Sequence, residues 1–469
     1  MKRYEAVVQE LERLIRSGTL RPGDRVPSIR SQCRLRGLSP STVLKAYATL
    51  EARSLLESRP RAGHYVAAKP PPPRAARASS PKPNTTRLAV SDLVFDILEA
   101  SRDRGVIPLG SAFPGPGQFP WIELARALGR SARHMDPWST VESLPPGSLE
   151  LRRQIARRYL KLGITVDIGQ IIVTAGALEA LNLALQTVTR PGDTIAIESP
   201  TFYGCLQAAE RIGLKVVEIP THPREGIDIA ALQRAVTRHS VRACWFMTTL
   251  QHPTGSIMPA ERKRELVRLL ASRAIPLIED DAYAELQFAA APALPAKAYD
   301  KQGLVLHCGS FSKCLAPGYR LGWIAAGRFA QSVARRKIES SLATSLPVQQ
   351  GIAQLLDDGA YEAHLKRLRE FLSAQQALAL ASVQRHFPSG YRVTKPEGGY
   401  FLWIECPPSV DSLELHRAAL KSGITLAPGP MFSARREFPN FIRLNYGHPW
   451  TSTLESAVRR LGDLAKRFG

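Results

Sequence analysis

Three stretches of the sequence carry an apolar run up to a residue able to do carbonyl chemistry: "RACWFMTTLQHPTG" passes Phe246 to reach His252, "IPLIEDDAY" reaches Asp280, and "GLVLHCGSFSK" delivers Lys313. A lysine amine can hold an aldehyde as a Schiff base and exchange it for an incoming amine, provided burial keeps it from staying protonated. An aspartate can keep a pyridine nitrogen protonated and so make the ring an electron sink. These roles are expected of Lys313 and Asp280, with Tyr283 three residues beyond Asp280 as a hydrogen-bond partner for a ring hydroxyl. A phosphorylated ligand would also need an anion cradle. "IIVTAGALEALNLAL" reads strand, glycine turn, helix, so the amides of Gly176, Ala177 and Leu178 can meet an anion at a helix N-terminus. Ser310 adds a hydroxyl and Arg320 a guanidinium fork, with Ser312 beside the lysine in the same set. In "ESPTFYG" Phe202, or failing it Tyr203, can stack on a ring.

These residues need a scaffold that gathers strand ends. "QIIVTAG", "DTIAIESP", "RACWFMTT", "IPLIEDD" and "GLVLHCGS" alternate with helical patterns, which predicts parallel strands joined by helices. Nearly continuous apolar strands imply a sheet covered on both faces, and ligands of such sheets collect at the carboxyl ends of the strands. From about residue 330 the pattern becomes more helical, then changes to "GGYFLWIEC" and "FIRLNYG", predicting a smaller C-terminal α+β part. The chain of 469 residues is too long for one ordinary core and predicts two or three domains.

Charge divides the chain unevenly. Residues 1–90 hold 18 Lys and Arg against 6 Asp and Glu, a net +12 of the +22 total, which points to an anionic partner for that end. Val7, Val8, Leu11, Leu14 and Ile15 form one face of a first helix that Gly18 can close. A short helix at about Ser28 to Arg36 follows, then a third with Ser39 as N-cap, Pro40 at its first position, and Val43, Ala46, Tyr47 and Leu50 inward. This is a helix, turn, helix unit that leaves Ser41, Thr42 and Lys45 where a recognition helix meets base edges. Arg25, Arg30 and Arg34 suit phosphates, and the hairpin "LLESRPRAGHYVA" makes a basic wing with Arg59, Arg61 and Gly63 at its tip. "AAKPPPPRAARASSPKPNTTR" predicts an extended, partly polyproline linker.

The six cysteines (Cys33, Cys205, Cys244, Cys308, Cys314 and Cys406) are dispersed with no C-x-x-C pair, as expected of reduced thiols rather than a disulfide framework or a metal site. The charged start "MKRYEAVVQELERL" has no apolar signal core, and no window approaches a spanning helix, so a cytoplasmic location is expected.

"LRPGDRVPSIR", "LSPSTVLKAYATLEARSLL" and "SRPRAGHYV" closely resemble the winged helix-turn-helix of the GntR family of bacterial regulators over residues 3–67. "PPGSLELRRQIA", "TAGALEAL", "PTG", "DDAY", "SFSKCLAPGYRLGW", "PEGGYFLW" and "FIRLNYG" together resemble the fold-type I, class I/II aminotransferases over residues 105–460. The two joined by a linker resemble the MocR subgroup of GntR regulators. That resemblance implies a winged helix at 1–67, a basic Pro-rich linker at 68–90 and an aminotransferase-like domain at 91–469. Within the last, it implies a mainly parallel seven-stranded sheet in a large subdomain at about 125–330, and a small subdomain at about 331–469 joined by 91–124. It further implies pyridoxal 5'-phosphate as cofactor, a homodimer, double-stranded operator DNA as partner, and Arg443 as the clamp for the α-carboxylate of an amino compound sensed by transaldimination at Lys313. A working aminotransferase with an appended DNA-binding domain is the alternative. Three positions depart from the family pattern: His252 replaces the usual asparagine before Pro-Thr-Gly, Glu142 stands where a tyrosine crosses to the partner's phosphate, and Ala177 lacks the usual hydroxyl.

Overall fold

The computed structural model describes residues 3–52, 55–59, 62–67, 74–100, 105–140 and 144–468. They form two units, one of residues 1–74 with 377–387 and one of 75–376 with 388–469.

In the first unit the helices α1 (Arg3–Arg16), α2 (Ile29–Arg36) and α3 (Pro40–Ala52) precede a hairpin of β1 (Leu56–Arg59) and β2 (Gly63–Val66). Ser28 caps α2 through the Ser31 amide at 3.2 Å, and Ser39 accepts from the Thr42 amide at 3.3 Å as α3 begins. Gly37 ends α2 in the left-handed region at φ 61°, which a side chain would strain. Val7, Val8, Leu11, Val43, Ala46, Tyr47 and Leu50 pack with Val26, Leu56 and Val66 into one small core, as the helical spacing predicts. The Tyr47 hydroxyl donates to the Pro27 carbonyl at 2.5 Å, tying α3 to the loop before α2.

The second unit is built on one large sheet. In chain order its strands are β3 (Thr86–Arg87), β4 (Ile171–Thr174), β5 (Thr194–Ser199), β6 (Lys215–His222), β7 (Gly226–Ile227), β8 (Val241–Phe246), β9 (Leu277–Asp280), β10 (Val305–Ser310) and β11 (Gly322–Ala325). Their spatial order is β3-β6-β5-β8-β9-β10-β11-β4, with β7 on β6. The run from β6 through β10 is parallel, and β11 is antiparallel to both β10 and β4. The seven expected strands are present, and two two-residue strands, β3 and β7, extend the β6 edge; such short pairings leave no periodicity in a sequence. Both faces are covered. Ile195, Ile197, Trp245, Ile278 and Leu306 pack on one side with helix Ala177–Val188, and Val217, Phe246, Leu277 and Val305 on the other with helices Ile229–Arg238 and Ala260–Ala271. Each such side chain contributes about 1.5–3 kcal/mol by leaving water.

A second, antiparallel sheet orders β12 (Arg392–Val393), β13 (Phe401–Glu405), β15 (Phe441–Asn445) and β14 (Ala427–Pro428), with Trp403 opposite Arg443. This is the predicted smaller C-terminal part.

Part of the expected linker at 68–90 is attached to the second unit rather than free. Residues 68–73 lie outside the described residues, but 75–90 run along the second unit. Arg77 pairs with buried Glu405, the Ser79 hydroxyl accepts from the Thr221 amide at 2.8 Å, and Thr86–Arg87 pair with β6. Where proline removes backbone donors, side chains supply the attachment. Among the described residues no helix is long and apolar enough to cross a membrane.

Candidate functional site

On the first unit, Arg25, Arg30, Arg34, Ser41, Lys45 and Arg59 are exposed and Thr42 is half-buried. The start of α3 is preorganised: the Ser39 hydroxyl lies 3.0 Å from that of Ser41 and 2.8 Å from that of Thr42. Lys45 sits 4.7 Å above the Tyr4 ring. Arg59 is held by Glu57 at 2.6 Å and by the Tyr65 ring at 4.3 Å, so the wing arginine is fixed in place. Gly63 stands at φ 102°, a conformation that a side chain would strain, with the Arg25 guanidinium beside it. Arg61 lies outside the described residues. Leu44, which the helical spacing of Val43, Ala46, Tyr47 and Leu50 left unassigned, is 50% exposed beside Lys45.

In the second unit the strand pairing explains why distant motifs meet. Cys308 on β10 stands opposite Asp280, the last residue of β9, and β10 runs two residues further, so the turn after it brings Lys313 to the cavity that Asp280 also lines. A cavity of about 430 Å³ opens there. Asp280, Tyr283, Lys313 and Arg320 line it with Ser310 and Ser312; Ala177, Leu178, Phe202 and Tyr203 complete the wall on the helix side. Both aromatic candidates for stacking therefore border the cavity. His252 and Arg443 stand behind this lining rather than in it.

The electrostatics suit exchange of protons near neutrality. Burial, reinforced by the Arg443 charge, brings the Lys313 pKa down to about 7 against the opposing pull of Asp280. Burial pushes Asp280 up to about 7, although the Ala282 amide, 3.3 Å away, and Lys313 favour its charged form. The Lys313 amine donates to the Ala112 carbonyl at 3.0 Å and rests 4.0 Å from the centre of the Phe113 ring. Tyr400 donates to the same carbonyl at 3.1 Å.

The glycine turn expected to meet an anion joins strand to helix as its sequence predicts. Gly176 caps helix Ala177–Val188 at φ 90°, and the first amides of that helix have no partners within it. Arg320 bonds the Ala175 carbonyl at 3.2 Å and the Ser312 hydroxyl at 3.3 Å. A Cβ on Gly176 would lie 2.9 Å from the Arg320 guanidinium, and one on Gly322 would lie 2.9 Å from the Ala177 nitrogen. Only glycine permits this approach at either position. Ser310 donates to the Leu321 carbonyl at 3.3 Å and accepts from the Ser312 amide at 3.0 Å, which fixes the turn around the lysine.

Arg443 differs from a simple carboxylate clamp. It is 1% exposed and its fork is already engaged: one nitrogen donates to His252 Nε2 at 2.7 Å, the other to the carbonyls of Gly110 and, at 3.1 Å, Ser111. Phe401 packs 4.3 Å from the guanidinium centre. Because guanidinium only donates, His252 Nε2 must accept and the ring proton sits on Nδ1. Burial, then the charges of Arg443 and Lys313, hold the His252 pKa well below its ordinary value, consistent with a neutral ring. Its Nδ1 is buried with no protein partner.

The segment 110–113 is the part of the site that sequence reasoning missed. "LGSAFPGPG" lies about 200 residues from Lys313, and its contribution comes from main-chain carbonyls, which carry no residue signature. Glu142 lies outside the described residues.

The family described as "Aminotransferase class I and II" matches residues 113–461, and "Bacterial regulatory proteins, gntR family" matches residues 3–66. The uncharacterized HTH-type transcriptional regulator YdcR of Escherichia coli (strain K12) is 44% identical over 99% of this chain and 99% of its own. The second unit is similar to a multiple substrate aminotransferase from Thermococcus profundus, with TM-score 0.74 and 28% identity over 81% of this chain and 96% of that one. The LysN α-aminoadipate aminotransferase of Thermus thermophilus, solved with N-(5'-phosphopyridoxyl)-L-leucine, gives TM-score 0.73 and 28% identity over 80% and 94%.

Proposed function

The chain belongs to the MocR subgroup of GntR-family regulators, in which a winged helix precedes a class I and II aminotransferase domain, and from this premise we propose that it binds operator DNA, holds pyridoxal phosphate and responds to an amino compound. The observation that carries this reading is Lys313, an amine brought near neutrality beside Asp280 in a walled cavity, in a chain whose other unit presents Arg25, Arg30, Arg34 and Lys45. The cavity fits the cofactor: Gly176 and Gly322 let Arg320 and the start of helix Ala177–Val188 come together at its wall, and His252 keeps a buried donor with no protein acceptor. When bound, pyridoxal phosphate supplies an aldehyde that condenses with amines and a ring that withdraws electrons.

The chain's own residues divide the remaining work. The amides of Gly176, Ala177 and Leu178 with Ser310, Ser312 and Arg320 hold the phosphate. Asp280 keeps the ring nitrogen protonated, Phe202 packs on the ring, and Tyr283 and His252 serve its hydroxyl. Lys313 would offer its amine to the aldehyde and, as a free base, could move a proton. Arg443 would take a carboxylate in place of the Gly110 and Ser111 carbonyls, so an amino compound bearing one would compete with those contacts.

Arg443→Gln should therefore retain the cofactor but weaken the response to amino acids by roughly tenfold or more, and leave simple amines unaffected. Spectral titration with alanine and with ethylamine checks it; an equal loss for both would remove Arg443 from the carboxylate role.

The DNA assignment is tested with duplexes selected from a random pool by the full chain, read with and without pyridoxal phosphate and amines. Lys45→Ala and Arg34→Ala should weaken binding, and a residue on phosphate should lower the salt slope by about 1. Deleting residues 1–67 should abolish selection, and undiminished affinity would overturn the assignment. We place the protein in the cytoplasm as a homodimer, a state supported by outward apolar side chains such as Trp138, Leu178 and Leu342. Lys313 and Asp280 would also serve a working aminotransferase. Repeated turnover with an amino donor and a 2-oxo acid would favour that second reading.

A further inference from the structure

A second cavity, of about 210 Å³, lies on the other face of the large sheet. Strand alternation sends Asp280 to the face covered by helix Ala177–Val188, and places His307 on the opposite face with Val305. Ser310 lines both cavities, and Asp281, directly after Asp280, lines the second. Much of the wall is apolar, including Ile155, Leu162, Pro295 and the Trp323 indole.

The cations of this lining are already answered. Arg158 pairs with Glu285 at 2.5 Å and Glu362 at 2.6 Å, Lys161 with Glu362 at 3.6 Å, and Arg369 with Glu285 at 3.5 Å. The interior carboxylate, Asp281, is answered on one oxygen alone, by the His307 imidazole at 2.9 Å. Trp323 Nε1 donates to the Tyr159 oxygen at 3.0 Å, and the Tyr159 hydroxyl lies 2.6 Å from His307 Nδ1, to which it donates when the ring is neutral. The proton of the neutral imidazole then sits on Nε2, which donates to Asp281 Oδ2 at 2.9 Å. With the ring in that neutral form, none of these partners sets a cation against the Asp281 carboxylate. That residue is 6% exposed, and its Oδ1 has no hydrogen-bond partner. A buried carboxylate oxygen without a donor is costly, and an apolar wall around it selects what can supply one.

We propose that this cavity binds a small apolar amine in its ammonium form, donating N–H to Asp281 Oδ1, and that its occupation bears on the first cavity through the shared Asp280–Asp281 and Ser310 wall. An anion would meet cations already paired and a carboxylate that repels it. The site stands apart from the cofactor reading, because it requires neither Lys313 nor an aldehyde.

The test uses N,N-dimethylbenzylamine, a tertiary amine that cannot condense with an aldehyde, titrated into the full-length protein by calorimetry. Burial lowers the His307 pKa, but the Asp281 bond and charge raise it further, so the titration is run at mildly alkaline pH to keep the ring neutral. Saturable binding of one probe per chain is expected, unchanged in Lys313→Ala and weakened by about tenfold or more in Asp281→Asn. Ala293→Trp, which fills the cavity from its half-buried rim, should abolish it. Benzyl alcohol and phenylacetate, of similar shape without the ammonium, should bind far more weakly. No saturable binding, or benzyl alcohol binding equally well, would overturn the proposal and leave a water-filled void. Should Asp281→Asn fail to fold, the comparison of probes and the Ala293→Trp variant still decide it.

Discussion

Lys313→Ala should end covalent capture of pyridoxal phosphate altogether. Borohydride reduction of the wild-type protein mixed with the cofactor should leave a pyridoxyl group on the peptide carrying Lys313, and no peptide of the variant should carry one at that site. The expectation rests on three observations: the amine borders the cavity, its pKa is brought to about 7 by burial and by Arg443, and it is aimed by the Ala112 carbonyl at 3.0 Å. A surface lysine would be almost wholly protonated at neutral pH and a poor nucleophile. Any amino-group transfer should fall by on the order of 10²–10⁴ with loss of the group that moves the proton. DNA affinity without cofactor should be unchanged, while its dependence on amines disappears. Labelling of another lysine in the wild-type protein would move the reactive centre elsewhere.

Asp280→Asn should raise the stability of the cofactor-free protein while weakening its hold on the cofactor. In the folded chain burial lifts this carboxyl to about 7, from 3.8 for an unperturbed aspartate. Between those values the unfolded chain has released a proton that the folded chain retains, so folding loses stability as pH rises from about 4 to about 7. Asparagine has the same size and no charge to bury. The variant should be the more stable protein by up to about 4 kcal/mol near pH 8, with the difference vanishing near pH 4. The neighbouring Lys313 charge, where present, reduces the gain. Thermal melts across this range read the stability, and a pyridoxal phosphate titration reads the cofactor. Parallel melting curves for the two proteins would show that Asp280 carries no such burial cost. An unchanged cofactor affinity would show that it does not serve the ring nitrogen.

Both predictions spring from residues that the sequence marks by type and position. Lys313, Asp280, Tyr283 and the Gly176 turn each close an apolar run, and ends of neighbouring parallel strands must meet. The core of the first unit was legible for the same reason: Val7, Leu11, Val43 and Leu50 recur at helical spacing, and that spacing records which face is buried.

What periodicity does not record is the partner across a long separation. Only the tertiary structure shows the Arg443 fork closed on His252 and on carbonyls of Gly110 and Ser111, over 300 residues earlier in the chain. Composition alone reads 75–90 as a spacer, whereas Arg77 and Ser79 are anchored to groups far along the chain. Asp281 is the sharpest case. Beside Asp280 in sequence it looks like a second copy of the same group, yet the pleat turns it to the opposite face, toward His307 and a cavity of its own. The residue types, the strand and helix periods and the family were determined by the sequence itself. Which donor meets which acceptor, and which carboxylate is left without one, was decided by packing, because those pairings depend on where folding brings the backbone rather than on any local pattern.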